Sequence, residues 1–272
     1  MVSINSILVI LDPTSDKQHA LTRAARIGKR RGSSIRAYLC VYSNMETNDP
    51  DILKKVELSR YEWWVKQFIE PIQAEGIDVD IQIEWNSDWR TAIAQAVKKV
   101  EYDLIIKPSH RRSRAKRIMM TSSDLTLFES ANCPVLLMNT QEYEDPKNIL
   151  IAIDPKRQGA RDKKILETIV EHGKAIAEAH KDSELHAVYA YSTQDEYQHV
   201  TDVAKLVGID TSRVHILGGG PEEVIVKVAR DIDANLIIIG LSTKSVLANR
   251  VFGTTADWLL NNIDHDIQVI VN

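Results

Sequence analysis

Gly240 follows the apolar run LIII directly, and Gly253, Thr254 and Thr255 precede the helical sequence ADWLLNNI. A glycine at the end of a strand lets the backbone turn sharply and approach a bound group closely. The exposed amides and hydroxyls of a helix N-terminus receive phosphate oxygens. Together these points suit a phosphate chain held by backbone dipoles, although a plain strand turn followed by a helix cap would use the same residues. Asp12 and Asp154 each close an apolar run, in ILVILDP and ILIAIDP. A carboxylate there can accept hydrogen bonds from a nucleobase or ribose, or help hold a hydrated magnesium ion. Asp before Pro equally caps the next helix or starts a turn.

Other chemistry finds little support. The 8 histidines are scattered with no metal-ligand spacing such as H-E-x-x-H, and neither a Walker A sequence nor a Ser, His and Asp set can be picked out. GGGP at 218–221 suits a strand-to-helix turn with Pro221 in the first helical turn. Cys40 and Cys133 lie in apolar runs, as two buried reduced thiols would. With no base placed to attack a phosphate, the chain is expected to bind rather than catalyse, with slow ATP hydrolysis at most. One basic run stands out, KPSHRRSRAKR, which gathers Lys107, Arg111, Arg112, Arg114, Lys116 and Arg117. It suits an anion, a phospholipid head group or RNA, or a solvated surface loop. The net charge of -4 gives no global pull toward nucleic acid or a membrane.

The elements that must position these residues occur twice. ILVILDP begins at Ile7 and ILIAIDP at Ile149, 142 positions on. YDLIIKPS is answered by ANLIIIGLS, and the endings NCPVLLMN and DIQVIVN are both short apolar strands. The 272 residues therefore read as a tandem duplication, with domains at 1–141 and 146–272 and a seam in TQEYEDPKN at 140–148. In each half β-branched runs alternate with helical patterns, the first helix spanning about Ser15 to Arg31 with Ala20, Ala24 and Ile27 in register. This predicts α/β halves, each an open twisted parallel sheet of five strands with helices on both faces. Between its second and third strands the first half inserts a long amphipathic helix whose Trp64, Phe68 and Ile72 recur every fourth position, a packing stripe. No segment approaches 18 consecutive apolar residues and the N-terminus has no basic leader, so a cytoplasmic protein is expected.

The stretch GLSTKSVLANRVFGT resembles the G-x2-G-x9-G-(S/T) nucleotide loop of the universal stress protein family, through Gly240, Thr243, Gly253 and Thr254. Thr243 stands where the family has a second glycine. The preceding ILGGGPEEVIVKVARDIDANLIIIG is similar to the helix and strand that lead into that loop, and the likeness covers essentially the whole chain. It implies an adenine nucleotide hydrolase-like fold with two domains packed about a pseudo-twofold, and a stress-response role. It also implies ATP or another adenine nucleotide, with magnesium as a companion, in the second domain. Asp154 would take the position at the end of the first strand, and Ala190 the one whose backbone meets the adenine. Gly240, Thr243, Gly253 and Thr254 would surround the phosphates. In the first half Pro108, Arg111 and Thr121 replace the glycines, so no nucleotide loop is implied there. The alternative is a scaffold of the same fold that binds no nucleotide, packing its last strands PVLLM and IQVIV edge to edge, with a homodimer as a further option.

Overall fold

Strands form where β-branched and leucine runs leave both faces apolar, and the computed structural model places them in the expected order. It describes residues 2–43, 45, 48–109, 122–139, 145–157, 159–241, 258–259 and 262–271. Contacts divide these into two units, one of residues 3–109 and 122–135, the other of residues 136–139 and 145–271.

The first unit runs β1 (Ser6–Ile10), α1 (His19–Arg31), β2 (Ser34–Val41), α2 (Pro50–Ala74), β3 (Val79–Trp85), α3 (Trp89–Lys99), β4 (Leu104–Pro108) and α4 (Ser122–Ser130). The boundary falls inside β5 (Val135–Met138). Strand order is β3-β2-β1-β4, all parallel, with Ile7 opposite Ile35 on one side and Leu104 on the other. The second unit runs β6 (Asn148–Ala152), α5 (Ala160–Glu178), β7 (Glu184–Tyr191), α6 (Val200–Val207), β8 (Val214–Gly218), α7 (Pro221–Asp231), β9 (Leu236–Leu241) and β10 (Asp266–Val271). Its order is β10-β9-β6-β7-β8, again parallel. Both units thus have the doubly wound α/β architecture expected from the sequence, with the order of strands reversing beside β1 and beside β6.

The duplication extends to individual hydrogen bonds. The Asp103 carboxylate accepts from the amides of Asn5 and Ser6 at 2.7 and 3.0 Å, and the Asn235 side-chain oxygen accepts from those of Lys147 and Asn148 at 2.8 and 3.0 Å. Likewise the Ser33 hydroxyl donates to the Ile4 carbonyl and the Ser183 hydroxyl to the Pro146 carbonyl. In each unit the residue ahead of the fourth strand, and the serine at the foot of the second, tie down the start of the first.

Two local expectations shift. The helix predicted from about Ser15 begins instead at His19, because the Gln18 side chain is bound to the turn before it. On α2 the fully buried positions are Val65 and Ile69, with Trp64 and Phe68 half-buried beside them in an edge-to-face pair 4.9 Å between ring centres. The stripe packs as expected, one residue further round the helix. Both cysteines are free thiols, and burial pushes the Cys133 thiol up to about 12 and the Cys40 thiol up to about 11, so neither is a nucleophile at neutral pH.

Candidate functional site

In the second unit the carboxyl ends of β6, β7 and β9 open into a cavity of about 380 Å³, a volume in the range of small-molecule sites. β6 supplies Ile153 and Asp154 from its end, β7 Val188 and Ala190, and β9 Ile239 and Gly240. Ile165 and Ile169 of α5 wall it on one side, and Pro221 and Ile225 of α7 on another. These two walls are apolar, suited to a flat ring, while Asp154, Lys156, Arg157, Asp162 and Glu196 bring polar groups to the rest of the lining.

Most of those groups form a connected set. Asp154 accepts from the Lys156 amide at 3.2 Å and pairs with the Arg157 guanidinium at 3.0 Å. The Lys156 ammonium donates to the Asp195 carbonyl at 2.9 Å. Glu196 closes the loop after β7 by accepting from the amides of Ser192 and Thr193 at 2.7 and 3.2 Å. The Tyr189 hydroxyl donates to the Glu196 carbonyl at 2.8 Å. Burial, reinforced by the charges of Asp154 and Glu196, pushes that phenol above its ordinary value, so it stays a donor.

Asp154, Ala190 and Gly240, drawn from three separate strands, thus line one cavity. Thr243, Gly253 and Thr254 lie outside the described residues. Gly240 has a reason beyond ligand approach. It sits within β9 opposite Ile270, and a β-carbon on it would stand 2.4 Å from Ile165 Cγ2 and 3.0 Å from Ile169 Cδ1. Its bare backbone is what lets α5 lie against the strand. Lys156, Arg157, Tyr189 and Glu196 were not singled out from the sequence, although Thr193-x-x-Glu196 has the spacing of a capping box, and both reciprocal bonds of that box are present.

Apart from Asp12, the corresponding strand ends of the first unit carry different side chains. Asp12 accepts from the amide and hydroxyl of Thr14 at 2.9 and 2.7 Å, a turn bond of the kind that Asp154 makes to the Lys156 amide. Gln18, only 7% exposed, accepts from the Asp12 amide at 3.1 Å and donates to the carbonyls of Asp12 and Ser15, both at 2.8 Å. Lys107 stands where the second unit has Ile239. It is not part of a solvated basic loop: it is 6% exposed and paired with Asp124 at 2.9 Å. The remaining basic residues of that run, Arg111 to Arg117, lie outside the described residues. Among the described residues no group of three or more His, Cys, Asp or Glu is placed to hold a metal ion, and no helix is long and apolar enough to cross a membrane.

Comparison with known proteins agrees with this architecture. The universal stress protein family matches residues 3–139 and again 146–270. The chain belongs to that family. Among curated relatives, universal stress protein E of Photorhabdus laumondii is 25% identical over 99% of this chain and 96% of its own length. A solved universal stress protein from Archaeoglobus fulgidus, 19% identical, covers 98% of each chain with a TM-score of 0.75. A second solved universal stress protein from that organism, a complex with dAMP, covers 50% of this chain with a TM-score of 0.34. As a tandem universal stress protein, the chain carries both family domains in one polypeptide.

Proposed function

We propose that this universal stress protein is a stress-response binding module whose second domain holds an adenine nucleotide, with ATP as the reference ligand. The observation that carries the reading is the convergence of Asp154, Ala190 and Gly240 on one cavity where the strand order reverses, the place where open α/β sheets bind ligands. The base enters between α5 and α7, with Ala190 beside it. The ribose hydroxyls meet Asp154, displacing Arg157 toward the solvent side, and the phosphates leave past Gly240 toward the loop that contains Thr243, Gly253 and Thr254. On this reading the domain retains its ligand, with slow ATP hydrolysis at most.

The test is direct. Gently purified full-length protein, denatured and analysed by mass spectrometry, should release ATP, ADP or AMP, and calorimetry on the emptied protein should detect ATP binding. Asp154→Asn removes charge-assisted hydrogen bonds worth about 1.5–3 kcal/mol, so its affinity for ATP should fall at least about tenfold. Turnover of ATP should stay below about 1 per second, under the usual range for enzymes. No released nucleotide, and no ATP binding at millimolar concentration, would transfer the assignment to a scaffold of this fold.

A further inference from the structure

Helix α7 joins the cavity to a second feature of the same domain. Its first turns give Pro221 and Ile225 to the cavity wall. Its last turns carry Lys227 and Asp231, whose charges act on His215. The 11 residues span about 16 Å, a rigid link of three turns.

His215 lies on β8 and His186 on β7. Nδ1 of His186 and Nε2 of His215 are 3.2 Å apart, and the rings stack with centres 5.5 Å apart at 24°. His186 is buried, and its Nε2 lies 3.6 Å from the Glu184 carboxylate. Glu184 is itself held by Arg213 at 3.1 Å, just ahead of β8. On α7, Lys227 pairs with Asp231 at 2.7 Å. Asp202 and Lys205 of α6 are exposed. On β6 the residue opposite His186 is Leu150, and on β7 the residue opposite His215 is Val188, neither charged.

A hydrogen bond between two imidazoles needs one N–H and one lone pair. It holds with both rings neutral, and it is lost when both are protonated, because two donors then face each other and two cations sit in stacked rings. Glu184 and Asp231 are each already engaged with a cation, so neither is positioned to neutralise both charges. We propose that the His186–His215 pair is a proton-operated clasp between β7 and β8, the two strands on which α7 packs, and that its release loosens the cavity wall and weakens ligand binding as the solution turns acidic. The ligand half of this statement rests on the nucleotide reading above; the clasp itself does not.

The direction follows from burial, which pushes both rings below the ordinary histidine value of 6.5. A group whose value is lowered in the closed state takes up its proton on opening. Its contribution is complete above about pH 6.5 and is lost as the pH falls below that value. By reciprocity, a ligand that needs α7 in place opposes proton uptake, and acid opposes the ligand by the same factor.

Two measurements on the full chain test this. Hydrogen exchange without ligand, corrected for intrinsic rates, should show β8 amides opening up to about a hundredfold more at pH 5.5 than at pH 7.5 in the wild type, the effect of two protons taken up below about pH 6.5. In His215→Gln, and independently in His186→Gln, only one ring remains to take up a proton, and the pH dependence should drop to about tenfold or less. His265, also pushed down by burial, titrates in all three proteins and cancels in the comparison. In parallel, ATP calorimetry at the two pH values should show Kd rising by up to about a hundredfold in the wild type and about tenfold or less in His215→Gln. Parallel pH profiles in wild type and both variants would overturn the clasp. A responsive β8 with an ATP affinity that does not follow it would overturn the coupling to the cavity. Failure of ATP to bind at pH 7.5 would sink the nucleotide reading instead, leaving exchange to decide the clasp.

Discussion

Asp124→Ala is expected to destabilise the first unit by about 3–5 kcal/mol, the usual result of leaving one partner of a buried ion pair uncompensated. Lys107 is buried near the end of β4, with its ammonium 2.9 Å from Asp124 and 3.2 Å from the Pro108 carbonyl. Without the carboxylate, one carbonyl dipole would have to hold a cation out of water. The second unit shows the alternative, since Ile239 occupies the matching place of β9 as a buried apolar residue. Lys107→Met combined with Asp124→Leu should therefore recover most of the loss, returning to within about 1 kcal/mol of wild type. Urea unfolding of the three proteins checks this, and a double variant as weak as Asp124→Ala would mean the pair contributes more than mutual neutralisation.

The second large effect falls on Gly240. Gly240→Val should cost about 3 kcal/mol in the ligand-free protein, at the upper end of ordinary overpacking, because the new β-carbon alone would stand 2.4 Å from Ile165 Cγ2. The strain has few outlets, since β9 is bonded to β6 on one side and β10 on the other. α5 would be pushed outward and would carry Ile165 and Ile169 away from the cavity, so ATP binding should be lost with stability. Trimming the obstacle with Ile165→Ala beside Gly240→Ala should restore folding. If glycine served only the approach of a ligand, Gly240→Val would leave the melting temperature of ligand-free protein unchanged.

Much of the fold was legible because it rests on periodicity and repetition. ILVILDP and ILIAIDP announce equivalent strands, and their burial follows from runs apolar on both faces. The candidate site was legible to the extent that it depends on strand ends: Asp154, Ala190 and Gly240 converge because parallel strands in register deliver their carboxyl ends to one edge. Side chains that fold back were not legible. Lys107 reads as the first residue of a basic run, and only packing against α4 shows that it belongs to the interior. Gln18 reads as one helical residue among others, yet its amide bonds to Asp12 and Ser15 delay the start of α1. The reason for Gly240 was hidden similarly, since the helix that requires it begins about 80 residues earlier in the chain.

Gln18 carries one more consequence. Its amide offers an acceptor to one backbone N–H and donors to two carbonyls, the kind of edge a nucleobase presents. These bonds are supplied by the first domain's own covalent chain, at a fixed effective concentration set by the tether. Its loop is ordered once, when the chain folds. On the nucleotide reading proposed above, the stability of the second domain grows with free ligand as RT ln(1 + [L]/Kd). On that reading one copy is constitutive and the other conditional, so a change in cellular nucleotide level would be registered by one half of the molecule against the fixed reference of the other.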